Sequence, residues 1–179
     1  RWLARDYFNQ GVIATRAYDG RKVDTALAAQ HFQKALDLDP DDVDFNERYG
    51  GLALSEAQPL VTKGLQLAGE GRGAEAEKIF ARAEHLLTMA KNLHGKAAQV
   101  FPRSYRSWSN LGICQMWQAD ILAARARLGM AAGQDQAAAT FATDALAGYT
   151  EATKNIQTGM RVNPAQPDGR RYSQMIWNA

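Results

Sequence analysis

Apolar residues recur every three or four positions along most of this chain, which is the pattern of amphipathic helices. Ala28, Phe32 and Ala35 fall on one helical face, while the residues between them are mostly polar. Pro40 ends this helix, because proline lacks the amide hydrogen and disfavours helical geometry in the residue before it. The longest stripe covers residues 74–101. It predicts a core-facing helix of about seven turns.

The same pattern predicts six helices separated by turn-forming residues. Their expected spans are residues 3–18, 23–38, 43–68, 74–101, 104–131 and 136–162. Asp19 and Gly20 are expected to separate the first helix from the second. Turns that contain glycine are expected to separate the third helix from the fourth and the fifth from the sixth. Pro59 should kink the third helix or interrupt it. A short seventh helix over residues 167–179 would cap the last exposed face.

The prolines that end these helices are evenly spaced. Pro40, Pro102 and Pro164 are separated by equal intervals, since 102 − 40 and 164 − 102 are both 62. The register continues between them, because Gly50 and Gly112 are separated by the same interval. We call positions related by this interval equivalent. The spacing predicts one all-α domain over residues 1–179, built from antiparallel helical hairpins. Its units are expected at about 1–40, 41–102 and 103–164.

Two short motifs resemble those of the tetratricopeptide repeat family. Ala28, Phe32 and Pro40 stand where that family's second helix carries a small residue, an aromatic residue and a closing proline. Trp108 and Gly112 match the tryptophan and glycine of the W-x2-L-G motif in its first helix. The resemblance implies hairpins stacked as an α–α superhelix that binds other proteins. The two 62-residue hairpins are longer than the family's usual unit.

The resemblance also implies a partner-binding groove, lined by side chains of the first helix of each unit. Carried over by position, the groove residues are Arg5, Phe8, Val12 and Thr15 in the first unit and Arg106, Ser109, Ile113 and Met116 in the third. The expected occupant is a protein: a helix, an extended segment or a neighbouring subunit. The lysine and asparagine set with which some members hold a peptide's terminal carboxylate is absent.

Composition excludes several classes of function. A net charge of +2 is too small to indicate nucleic-acid binding, and no apolar run reaches the length of a membrane span. Arg1 and Trp2 suit the end of a membrane-interface segment, so an anchor or signal upstream is one expectation. Cys114 is the single cysteine, which excludes an internal disulfide and selects no compartment.

No residue pattern indicates a reaction. His85 and His94 lie nine residues apart on one predicted helix, which separates them by about 13 Å along its axis, too far for one metal. The histidines are therefore expected to be solvated or hydrogen-bonded. Zinc-protease, cysteine-pair and nucleophile-elbow motifs are absent from the sequence. We expect no catalytic, metal or cofactor site.

The sequence thus predicts a non-catalytic interaction or assembly scaffold. It would act as an accessory subunit, for example as the soluble part of a membrane-tethered or multi-subunit complex. Two alternatives stay open at this point. The chain could be an appendage of a larger enzyme whose catalytic domain lies outside this sequence, or a structural subunit packed permanently into a complex.

Overall fold

A computed structural model describes residues 1–16 and 22–163. Within those residues it contains six α-helices and no strand. The helices are α1 Trp2–Ala14, α2 Thr25–Leu38, α3 Val43–Gly69, α4 Gly73–Val100, α5 Tyr105–Ala131 and α6 Asp135–Val162. The prediction of an all-α fold is confirmed.

Consecutive helices pair into three hairpins, which we call hairpin 1 (α1 and α2), hairpin 2 (α3 and α4) and hairpin 3 (α5 and α6). Contacts are densest within each pair, and hairpin 2 lies between the other two. One hydrophobic cluster joins hairpins 1 and 2 around Phe32 and Phe45. A second cluster joins hairpins 2 and 3 around Phe80 and Ile121. The stack therefore has a core on each side of hairpin 2.

Side-chain caps fix the starts of three helices. Asp24, Asp42 and Ser104 each accept a hydrogen bond from the backbone N–H three residues further on, at 2.9, 3.0 and 3.1 Å. These bonds satisfy amides that have no partner inside the helix. Asp42 and Ser104 stand at equivalent positions, since 104 − 42 is 62. Both begin the first helix of a long hairpin.

Helix boundaries in hairpins 2 and 3 fall at equivalent positions. α3 begins at 43 and α5 at 105, and α4 ends at 100 and α6 at 162. The turns also agree, because Gly71 and Gly133 have φ angles of 76° and 70°. Glycine adopts this left-handed conformation without the steric penalty that a Cβ would bring. The boundaries therefore agree with the proline spacing of the sequence.

One expected helix end differs from the structure, and one of the two alternatives for Pro59 is excluded. α1 ends at Ala14 instead of continuing to about residue 18. The chain turns there because the Arg16 N–H bonds the Ile13 carbonyl, and the Asp24 N–H bonds the Ala14 carbonyl at 3.0 Å. α3 continues through Pro59, so the proline does not interrupt it. The expected break at Asp19 and Gly20 and the expected helix at 167–179 lie outside the described residues.

Candidate interaction surface

The two arginines predicted to line a groove pair with carboxylates of α3. Arg5 lies 3.3 Å from Asp44, and its guanidinium stands 4.8 Å from the centre of the Phe8 ring. Arg106 lies 3.8 Å from the Glu47 carboxylate. Both arginine side chains are about half exposed. The pairs link successive first helices, so these arginines already have a role inside the stack.

Four of the eight predicted groove residues are buried: Phe8, Ser109, Ile113 and Met116. Phe8 stacks on Phe45, Ser109 lies against Gly159, and Ile113 belongs to the cluster between hairpins 2 and 3. Neighbouring helices, α3 for Phe8 and α6 for Ser109, cover part of the face that the resemblance left open. In this packing the four side chains offer a partner no surface. Contact of Arg5, half-buried Val12 and Arg106 with a partner stays a prediction.

A polar cluster ties hairpin 2 to hairpin 3 near their shared end. The Glu47 carboxylate accepts hydrogen bonds from the hydroxyls of Ser104 and Ser107, the second at 2.7 Å. Next to it, His94 Nε2 lies 3.3 Å from the Asn110 amide nitrogen. Burial lowers the pKa of His94 to about 4, against an opposing effect of the Glu47 charge. The imidazole is thus neutral at pH 7.

His94 has no exposed surface, so it cannot meet a substrate from solution. A Cβ added to Gly50 would lie 2.8 Å from its Nε2, which shows how closely the imidazole packs on α3. Phe32 and Ile156 occupy the equivalent positions of α2 and α6, and they pack on Gly11 and Gly112 in the same way. The histidine therefore occupies a packing position, which the sequence analysis did not recognise.

Hairpin 1 covers only part of hairpin 2. Its helices have 13 and 14 residues, against 27 and 28 in hairpin 2, so each is 14 residues shorter. At a rise of 1.5 Å per residue this difference is about 21 Å. α2 and α4 end at Leu38 and Val100, which are equivalent positions, so the shortfall lies at the opposite end. There the residues that the structure describes leave the outer face of hairpin 2 bare.

Two adjoining clefts occupy this bare face and share Pro59. The first, of about 860 Å³, adjoins the end of hairpin 1 and is lined by Thr25, Ser55, Glu56, Pro59, Leu60, Ala81, Arg82, His85 and Leu86. The second, of about 790 Å³, continues towards the turn of hairpin 2 and is lined by Gln58, Pro59, Thr62, Lys63, Gln66, Leu67, Glu70, Arg72, Glu75, Lys78 and Ile79. We call the residues of hairpin 2 and its turn that line both clefts the uncovered strip.

The uncovered strip has an apolar floor and charged edges. Leu60, Ile79 and Leu86 are half-buried and pack from outside on the cluster between hairpins 2 and 3. Lys63, Lys78 and Arg82 are exposed at the edges. At the far end Arg72 pairs with Glu70 at 3.2 Å and Glu75 at 2.7 Å. Hydrogen bonds from Gln66 and Arg72 lower the pKa of the Glu70 carboxyl group, and those from Arg72 lower the pKa of Glu75. Such a surface can hold a chain that is apolar on one side.

The sequence contains two signs of this strip, although its periodicity alone did not predict the strip. The first hairpin was expected to be much shorter than the second. The apolar positions of α3 also become polar beyond Leu52, at Glu56 and Lys63. Either sign alone fits an ordinary solvated face. The structure shows that the polar positions of α3 begin where hairpin 1 ends. Together the two signs indicate a face of hairpin 2 that hairpin 1 does not cover.

Comparisons with known proteins add no family. No protein family model matches this sequence, and a search of curated proteins finds no match. In residues 1–16 and 22–163, no three His, Cys, Asp or Glu side chains come together as metal ligands could. None of the helices in that part of the chain has the length and apolarity needed to span a membrane.

Proposed function

We propose that this chain is a non-catalytic interaction or assembly scaffold that binds another protein on the uncovered strip. The observation that carries the proposal is the bare outer face of hairpin 2. An apolar floor lies there between charged edges, on the one side of hairpin 2 that its neighbour only partly covers. The resemblance to tetratricopeptide repeats supports the same class of function.

Rigidity of the strip also supports binding. Its floor residues belong to helices held from behind by Phe80, Leu87 and Ile121, which are fully buried. On the side of α4 that faces hairpin 3, Glu77 and Glu84 hold Arg125 of α5 at 2.9 and 2.6 Å. A surface fixed in this way loses little conformational entropy when a partner binds. The scaffold would thus act as a preformed platform.

Site-specific photo-cross-linking in the native cells tests the proposal. A photoreactive amino acid replaces Ser55 or Gln66 on the strip, and in matched controls it replaces Thr143 or Gln157, which are exposed on α6. We expect both strip positions to give an adduct with the same protein, identified by mass spectrometry, and the α6 positions to give none. Adducts that are absent from the strip, or equal at all four positions, would contradict the proposal.

A further inference from the structure

We infer that the occupant of the uncovered strip is an acidic amphipathic helix of about four turns, lying lengthwise along α3 and α4. This inference rests on the proposed function and adds the chemistry of the partner. The strip is about 21 Å long, which is the length of a helix of about four turns. α3 and α4 lie side by side with apolar side chains between them. An amphipathic helix packs into grooves of this kind.

The apolar seam determines one side of the partner. Leu60 of α3 faces the strip together with Ile79 and Leu86 of α4, and all three are half-buried. A partner that covers them removes apolar surface from water, which stabilises the complex by about 25 cal/mol per Å². The seam runs along the strip, so the partner needs an apolar stripe along its own axis. A helix with apolar residues at three- and four-residue spacing provides one.

Unpaired cations determine the partner's edges. Lys63, Lys78 and Arg82 line the strip and form no ion pair within residues 1–16 and 22–163. Of the three carboxylates on the strip, Glu70 and Glu75 pair with Arg72. Counted together, the strip carries four cations and three carboxylates, so one positive charge stays in excess and the three unpaired cations supply it. Acidic side chains beside the partner's apolar stripe would complement them.

Hairpin 1 sets the near end of the site. Thr25, the first residue of α2, lines the cleft beside Ser55 and His85. Ile13 and Leu27, close to the same end of hairpin 1, are 64% and 42% exposed. A helix on the strip would meet this end of hairpin 1 and stop there. The site is therefore a groove that hairpin 1 closes at one end.

A nucleic acid fits this surface less well. Its sugar–phosphate backbone would leave the apolar seam of the strip without an apolar partner. A second copy of the chain is the remaining occupant to test. Among the described residues, the exposed large apolar side chains of such a copy are spread over several helices. An acidic helix fits both seam and edges.

Peptide binding to the intact chain tests the inference. The probe is a fluorescent helical peptide of about four turns, with leucines at helical spacing and glutamates on its other faces. Its matched control carries lysines instead of the glutamates. We expect anisotropy to report a Kd on the order of 10–100 μM for the acidic peptide, at least tenfold weaker binding of the basic one, and weaker binding of the acidic peptide at high salt.

Charge-reversal variants locate the binding. The double variant Lys63→Glu with Lys78→Glu should weaken acidic-peptide binding at least tenfold, while Lys154→Glu, a reversal of an exposed lysine on α6, should leave it unchanged. Circular dichroism checks that each variant is folded. Equal binding of both peptides, or binding that the double variant does not change, would overturn the inference.

Two further outcomes would indicate a different occupant of the strip. Tighter binding of a short single-stranded oligonucleotide than of the acidic peptide would overturn the inference in favour of a polyanion. Self-association in ultracentrifugation that the double variant abolishes would overturn it in favour of a second copy. If cross-links form on the strip while the acidic peptide does not bind, the proposed scaffold stands and this choice of partner fails. If neither occurs, both fail.

Discussion

α3 and α5 begin equivalent hairpins, yet the faces that they turn towards the preceding hairpin differ along their length. On α5 this face carries Cys114 and Ile121, both fully buried against hairpin 2. The equivalent α3 residues are Leu52, which is buried, and Pro59, which is exposed. The face is apolar wherever a neighbour covers it and becomes polar where hairpin 1 ends.

This difference shows that helix length and helix coverage are determined separately. α3 continues past the end of hairpin 1 because its other side stays packed, with Val61 and Leu67 buried towards hairpin 3. Helices gain most of their stability from such packing, since short isolated helices are marginal in water. On the bare side, polar residues avoid a large exposed apolar patch, which would favour aggregation. Composition on each face therefore follows its own neighbour.

The largest expected effect comes from truncating the covered face. Ile121→Ala should lower the free energy of unfolding by about 2–5 kcal/mol, because it leaves a cavity in the cluster between hairpins 2 and 3. Pro59→Ala, at the equivalent position of α3, removes no buried side chain and restores a helical N–H. Its stability should be equal or higher. Urea denaturation measures both.

Equal losses in this pair would contradict the comparison, because they would mean that Pro59 is covered as Ile121 is. Circular dichroism of the folded variants provides the control for helix content. An unchanged urea dependence of unfolding would show that the two substitutions act on stability and leave the compactness of the unfolded chain unaffected.

Much of this fold was predictable from the sequence, because its helices are long and strongly periodic. The boundaries of α3 to α6 were expected to within one or two residues, and Phe80 and Ala83 lie fully buried on the predicted stripe. Proline and glycine mark the ends clearly. α1 was expected too long because its end depends on the bond between Asp24 and Ala14, which joins distant positions.

The candidate site was harder to predict, because its residues are defined by what does not cover them. Periodicity shows which face of a helix is apolar, but not which hairpin lies on it or how far it extends. Ser109 shows the reverse case, since a serine on a predicted groove is buried against Gly159. Which face of a helix is covered depends on how the hairpins stack, and the sequence pattern of one helix does not reveal it.

A second pair compares His94 with Ile156, the equivalent residue of α6. His94 has a pKa of about 4 in the folded chain, below the ordinary histidine value of 6.5. The unfolded chain therefore binds a proton that the folded chain excludes. Stability should be complete above pH 6.5 and fall as the pH is lowered towards 4, by about 3 kcal/mol in total. Denaturation at pH 7 and pH 4 measures this loss.

Substituting the histidine isolates its share, since other groups also titrate in this range. In His94→Gln, a neutral polar variant, and in His94→Phe, which copies Phe32, the loss between pH 7 and pH 4 should be smaller than in the parent chain by that amount. A parent and variants that lose stability equally would show that His94 does not carry the effect. Ile156→Val provides a control, because it changes packing at the equivalent position without adding or removing a titrating group.

The smallest change in stability is expected for the removal of a charge. The two residues compared are Arg125 and Lys63, its equivalent on α3. Arg125 forms paired hydrogen bonds with Glu77 and Glu84 of α4, and its side chain is only 17% exposed. Lys63 faces the uncovered strip and has no hairpin opposite it. Arg125→Met should therefore cost about 1–3 kcal/mol, because two carboxylates lose a partly buried partner. Lys63→Met should change stability by less than about 0.5 kcal/mol.

Adding Glu77→Gln and Glu84→Gln to Arg125→Met separates the two causes of that loss. If the loss reflects carboxylates left without a partner, removing their charges should recover part of it, as a double-mutant cycle measures. If nothing is recovered, the arginine acts through the contact of its guanidinium with the Phe80 ring, 5.8 Å from the ring centre. A loss at Lys63 equal to that at Arg125 would show that a covering element lies over the strip in the isolated chain, and the distinction between the two faces of hairpin 2 would fail.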